Sequence, residues 1–296
     1  MNTRIALVLC IVGAILVAAG GHTRRSSRIC LVAPVLLLGL PAFVDADSVA
    51  RGAFAFAVLV IFASAIDFAF GPRPATPSAR GIYLVAFSLF IDTIHVQNSK
   101  KRFDRQGTLQ ILTAIAAALF VFFTWRFTDF ACGAARFVAR TLLVALFVFA
   151  LEELTTGAVS VASTAAGRIL RPLHDAPYLS TSIGEFWSRR WNLLMAGWLR
   201  RHCFSPIARY GTVAALFATF VASAALHGYL FLSIDLTAAF SWAAFFLMQP
   251  PLLIAERQLR VKRWPAPLAR VWTIGWLVAL LPLLAWPLLA VLNTSF

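Results

Sequence analysis

Residues 211–232 read GTVAALFATFVASAALHGYLFL. The stretch contains no Asp, Glu, Lys or Arg, and about 20 such residues in a helix are enough to cross the hydrocarbon core of a bilayer. It nevertheless holds a histidine, His227, whose side chain titrates near neutral pH. Other predominantly apolar runs lie at 5–21, 29–45, 52–71, 108–130, 136–155, 236–255 and 268–292. Inside a bilayer the backbone must satisfy its own hydrogen bonds, so apolar runs of this length specify helices. The fold class expected is therefore all-α, a polytopic transmembrane helical bundle of about eight spans, with limits of about seven and nine. No Ser/Gly-rich linker divides the chain, which predicts one compact domain over residues 1–296.

Composition agrees. Hydrophobic residues make up 60% of the 296 and charged ones 13%, about half the share usual in a soluble domain. The net charge of +14 sits in the intervals between apolar runs, as in the loops of membrane proteins. This distribution argues against nucleic acid as a partner and for lipid headgroups or an anionic ligand. Arg24, Arg25 and Arg28 precede the second run, and Arg73, Arg80, Lys100, Lys101, Arg102 and Arg105 lie between the third and fourth. The loop at 256–270 carries Arg257, Arg260, Lys262, Arg263 and Arg270. The bias places 22–28, 72–107, 156–210 and 256–270 on the cytoplasmic side and both termini outside. That solution requires 81–97, GIYLVAFSLFIDTIHVQ, not to cross, and Asp92 and His95 near its end point to an interfacial or re-entrant helix. The first run, behind Arg4, has the look of a signal peptide, but further spans follow and it reads as a retained helix. An integral multi-pass protein is expected, in the cytoplasmic membrane of a bacterium or the endoplasmic reticulum of a eukaryote.

Four cysteines, Cys10, Cys30, Cys132 and Cys203, lack the spacing of a disulfide framework or a zinc site. No metal is expected. No nucleophile elbow, phosphate-binding loop or HExxH motif is present.

Two features stand out from the apolar background. Within 156–210, Ser182 and Glu185 have capping-box spacing, which predicts an amphipathic interfacial helix over about 183–200. Trp187, Trp191, Leu194 and Trp198 would share its headgroup face, while Ser188, Arg189 and Asn192 would fall on a neighbouring one. Such a helix is either a simple surface anchor with snorkelling arginines or a polar face turned to an incoming ligand. The second feature is His227, in line with Thr219 and Ser223 at every fourth residue. Ser223 is placed to hydrogen-bond the imidazole and set its tautomer. An intramembrane histidine is either functional or a structural partner for a neighbouring helix, and its own run of sequence leaves both open. His22, His95, His174 and His202 lie in or beside polar segments. Asp67 and Asp129 read as boundary residues, Glu152 and Glu153 as the cytoplasmic close of the fifth run, and Gln249-Pro250-Pro251 as a helix break.

Together, EFWSRRWN at 185–192 and SAALHG about 35 residues later resemble the wax-synthase-like branch of the membrane-bound O-acyltransferases. That branch has a Phe-Trp-small-Arg-Arg-Trp-Asn motif before an intramembrane histidine. Phe186 to Asn192 match it position by position, and FFLMQPPLLIAERQ at 245–258, with Glu256, resembles the segment that follows. The resemblance is clearest over 175–260. Gly228 departs from it, where an acid often follows the histidine.

The resemblance implies transfer of an acyl group from acyl-CoA to a hydroxyl, in the manner of a wax ester synthase acting on a long-chain alcohol. It implies His227 as catalytic base and Asn192 as the second catalytic residue. Trp187, Arg189, Arg190, Trp191, Ser223 and Glu256 are then substrate-binding candidates, Arg189 and Arg190 holding the CoA phosphates, with Arg200 and Arg201 beside them. Acyl-CoA would be a co-substrate, with no bound cofactor. Other readings are acylation of a sugar or polyketide hydroxyl, a lipid or small-molecule transporter with His227 in a proton relay, and a scaffold without activity.

Overall fold

The computed structural model describes residues 1–20, 23–72 and 74–293. His22 and Arg73, read above as loop residues, lie outside them. Among the described residues, eight helical segments are long and apolar enough to span a membrane: Thr3–Gly20, Arg24–Phe43, Ser48–Phe70, Arg105–Phe130, Gly133–Ala165, Thr212–Leu232, Leu236–Gln258 and Ala266–Ala290. They coincide with the eight runs of the sequence. Phe122, Phe123 and Val271 are 72%, 64% and 68% exposed, as suits side chains whose solvent is lipid. The protein is an all-α polytopic membrane protein.

The chain divides into two compact units, each drawn from two stretches of sequence. The first comprises Met1–Ile94 and Gly197–Pro250. Its centre is the third span, packed against the first, second and sixth and begun by Asp47, whose carboxylate accepts from the Ala50 N–H at 2.7 Å. The second span is broken into Arg24–Ile29, Val32–Leu37 and Leu40–Phe43, a segmentation in keeping with Pro34 and Pro41. Tyr229 Oη on the sixth span donates to the Leu38 carbonyl in the break, at 2.8 Å. The seventh span bends where Leu236–Leu247 gives way to Gln249–Gln258, ahead of Pro250 and Pro251. There the Gln249 amide donates to the Phe245 carbonyl at 2.9 Å, meeting the expectation of a break with a polar neighbour.

The second unit comprises His95–Ala196 and Pro251–Phe296. Its fourth and fifth spans form a hairpin in which a Cβ on Gly157 would stand 2.9 Å from the Gly107 carbonyl oxygen. Glycine at that point is what allows the backbones to close. The eighth span packs Ala285 and Leu289 on Val144 of the fifth.

Segment 81–97 does not cross. Pro77–Ser88 is a short helix, and Asp92–Asn98 is a strand paired with Arg168–Arg171. The strand corrects the expectation of a helix. Its alternation of Ile94 and Val96 with Thr93, His95 and Gln97 is short and weak, and hydropathy alone absorbed it.

Candidate active site

The helix expected over 183–200 is not continuous. Ser182 does cap it, its Oγ accepting from the Glu185 N–H at 2.9 Å. The Glu185 side chain turns back to Thr181, accepting from its N–H at 2.9 Å and its hydroxyl at 2.8 Å. After Ile183–Glu185 the backbone widens to a π-helix over Phe186–Arg190 and then stops. Asn192 adopts φ +39°, in the left-handed region, which Asn tolerates better than most residues because its short polar side chain bonds locally. Its Oδ1 accepts from the Met195 N–H at 3.1 Å, capping a separate helix, Leu193–Leu199. Leu194 and Trp198, expected at the headgroup boundary, are 5% and 3% exposed, and Trp198 Nε1 donates to the Ala63 carbonyl of the third span at 3.1 Å. Local spacing could not foresee a left-handed residue that only non-local bonds hold in place.

Within the second unit the motif residues take different duties. Trp191 stacks on Phe186 and Phe149, with centroids 5.4 and 6.0 Å away, and its ring lies 4.6 Å from that of His174. Trp187 meets Phe186 edge-on at 5.0 Å. Arg190 is engaged inside the protein: Nε bonds Glu185 Oε1 at 2.6 Å, and Nη1 bonds the Asp175 and Ala176 carbonyls at 3.1 and 3.4 Å. Burial acts against the Glu185 carboxylate, but the Thr181 and Arg190 donors outweigh it and hold its pKa below the usual range. Arg189 is exposed. Glu256 accepts from the Ile183 N–H at 2.5 Å and so fixes the start of the motif helix.

In the first unit, His227 lies half-buried on the sixth span. Its Nδ1 is 2.8 Å from the Ser223 backbone carbonyl and 3.5 Å from the Ser223 hydroxyl. A carbonyl can only accept, so the short contact assigns the proton to Nδ1 and leaves Nε2 with a lone pair. The ring stacks on Phe246 at 3.9 Å and faces Trp242 at 5.9 Å. Gly228, the departure from the family pattern, has a local reason: a Cβ there would stand 3.0 Å from the Ala239 carbonyl oxygen. Any side chain at that position requires the seventh span's backbone to give way at Ala239.

Two clusters escaped sequence reading. Asp67, a boundary residue by sequence position, has a fully buried side chain. It accepts from Tyr83 Oη at 2.5 Å and from Arg201 Nη2 at 3.1 Å, and lies 2.7 Å from His202 Nε2. Arg201 is therefore engaged at Asp67. In the second unit, His174 sits between Glu152 and Glu153, and Gln110 donates to Glu153 at 2.5 Å. The partners in each cluster are far apart in sequence, so spacing gave no signal. Cys203 shows no activation, since burial pushes its thiol pKa up. Among the described residues, no three His, Cys, Asp or Glu are grouped to hold a metal.

Known proteins share this region. Residues 170–248 match the model of the membrane bound O-acyl transferase family. A relative from Arabidopsis thaliana named probable long-chain-alcohol O-fatty-acyltransferase 7 is 28% identical over 271 residues, covering 82% of this chain and 77% of the relative. Another, probable long-chain-alcohol O-fatty-acyltransferase 2, is 26% identical over 232 residues, covering 74% and 68%. Acyl-CoA–sterol O-acyltransferase 1 of the same plant is 28% identical over 177 residues, covering 55% and 51%. The family match, over residues 170–248, takes in both the turn around Asn192 and the helix of His227, and the first two alignments extend the likeness over most of the chain: this protein is similar to the membrane-bound O-acyltransferases.

Proposed function

We propose that the protein transfers a fatty acyl group from acyl-CoA to the hydroxyl of a long-chain alcohol. The observation that carries the chemistry is the His227 tautomer, with Nδ1–H on the Ser223 carbonyl and Nε2 left to accept a proton. An alcohol is too weak an acid to attack a thioester unaided, and a positioned base contributes about 10²–10⁴ in rate. His227 Nε2 takes the hydroxyl proton as the oxygen bonds to the thioester carbonyl carbon. The C–S bond then breaks, and the departing CoA sulfur takes the proton back from the imidazolium. Asn192, whose Oδ1 is committed to capping, has only its amide N–H groups to offer, and these stabilise the developing oxyanion. Arg189, exposed beside the motif, is the cation for the CoA phosphates, while the acyl chain gains about 0.8 kcal/mol per buried CH₂. The acceptor class rests on the relatives named for long-chain alcohols and for a sterol.

Thiol release from acyl-CoAs by the detergent-purified protein, with long-chain alcohol, sterol and sugar acceptors, tests this beside His227→Ala. Alcohol-dependent release, lost by about 10² or more in the variant, is the expected result. Activity undiminished in His227→Ala overturns the base, and release with sugars alone overturns the acceptor.

A further inference from the structure

Asn192 is held in its left-handed conformation from both sides by one strap of chain. The Leu193 N–H donates to the Leu173 carbonyl, and the Asp175 N–H donates to the Arg190 carbonyl, both at 2.8 Å. His174 lies between those two anchor points. Its side chain is 1% exposed; Nδ1 is 2.9 Å from Glu153 Oε1, and Nε2 is 3.2 Å from Glu152 Oε2. The second contact is within ion-pair range but off hydrogen-bonding alignment, and these two buried atoms have no hydrogen bond elsewhere. The imidazole lies against Trp191, the residue before Asn192.

We propose that His174 is the positioning residue for Asn192: fixed by two carboxylates of the fifth span and packed on Trp191, it anchors the strap that grips Asn192 on either side. The proposal rests on the reading of Asn192 as the group that meets the donor carbonyl. A non-glycine residue at positive φ persists only where its surroundings over-determine it. The strap supplies that constraint, and the strap is tied to the rigid fifth span through His174. With a carboxylate at each nitrogen, the arrangement calls for an imidazolium, which donates from both. Burial works against that charge, but Glu152 and Glu153 together outweigh it and raise the pKa of His174. The titratable groups facing the ring are Glu152 and Glu153; the motif turn and the fifth span add the aromatic rings of Trp191 and Phe149, and Asp175 on the strap is exposed.

The sign follows. A pKa raised in the folded protein means that the grip is complete at low pH and is lost as pH rises through the raised value. Acyl transfer therefore has an alkaline limb set by His174, separate from the acid limb on which His227 becomes protonated. Transfer is measured against pH for the wild type, His174→Gln, Glu152→Gln, Glu153→Gln and Asn192→Ala. Each Glu→Gln variant is expected to move the alkaline limb to lower pH. His174→Gln should remove it and cut kcat by about tenfold or more, as misplaced catalytic groups do, with the KM for acyl-CoA little changed. If His174→Gln does not fold, the two glutamate variants carry the test. An alkaline limb unmoved in both, with Asn192→Ala inactive, overturns the positioning role and leaves Asn192 standing. Full activity in Asn192→Ala overturns the reading beneath it, and the positioning role with it.

Discussion

Arg190 and Arg189 show how little a motif letter says about a side chain's duty. The guanidinium of Arg190 bonds Glu185 and two backbone carbonyls, whereas Arg189 stands exposed beside it. Arg189→Gln is expected to raise the KM for acyl-CoA by about fivefold, roughly 1 kcal/mol, with the melting temperature unchanged. Added salt should narrow the gap between wild type and variant. Arg190→Gln should instead lower the melting temperature, at a cost of about 1–3 kcal/mol. Acid should narrow that difference: the Glu185 pKa is depressed in the fold, so its stabilisation is present at neutral pH and is lost as pH falls through the folded value, while the bonds to the two carbonyls remain. Melting curves of both variants from neutral to acid pH check these outcomes. The identity of the motif could be read from sequence; the division of labour inside it could not, because Glu185, Asp175 and Ala176 reach Arg190 only after the chain has turned.

Among the elements, the sixth span carries His227, the proposed base, and the seventh carries the Trp242 and Phe246 rings that pack against it. Gly228→Ala puts a Cβ 3.0 Å from the Ala239 carbonyl oxygen, a backbone atom that yields only if the seventh span moves. The expected loss is about 1–3 kcal/mol of stability, together with reduced kcat as His227 shifts on its Phe246 ring. Gly228→Asp should be worse on both counts, and a thermal melt beside an activity assay would show it. The spans themselves were legible because each is one apolar run, and the prolines at 250 and 251 announced the bend of the seventh. The break at Asn192 was not. Its cause is the strap at Leu173 and Asp175, about twenty residues back, and the sequence around Asn192 continues a good helical pattern straight through it. Asp67 was missed for the same reason: Tyr83, Arg201 and His202 surround it from two other segments.

For the molecule as a whole, the basic loops predict both termini outside and the loop of Lys100, Lys101 and Arg102 in the cytoplasm. Single cysteines added at either end should react with a membrane-impermeant reagent on intact cells. One placed at Lys101 should react only after permeabilisation; the reverse pattern would invert the topology. The two compact units carry a consequence for how the chain is made. The first is not complete until Pro250 has been synthesised, and the second requires the segment from Pro251 onward. Three spans at the N-terminus must therefore wait in the bilayer for their sixth and seventh partners while more than a hundred intervening residues leave the ribosome. Synthesis halted just after the Asn192 turn would leave both units unfinished, so premature termination yields substrate for membrane quality control instead of half an enzyme.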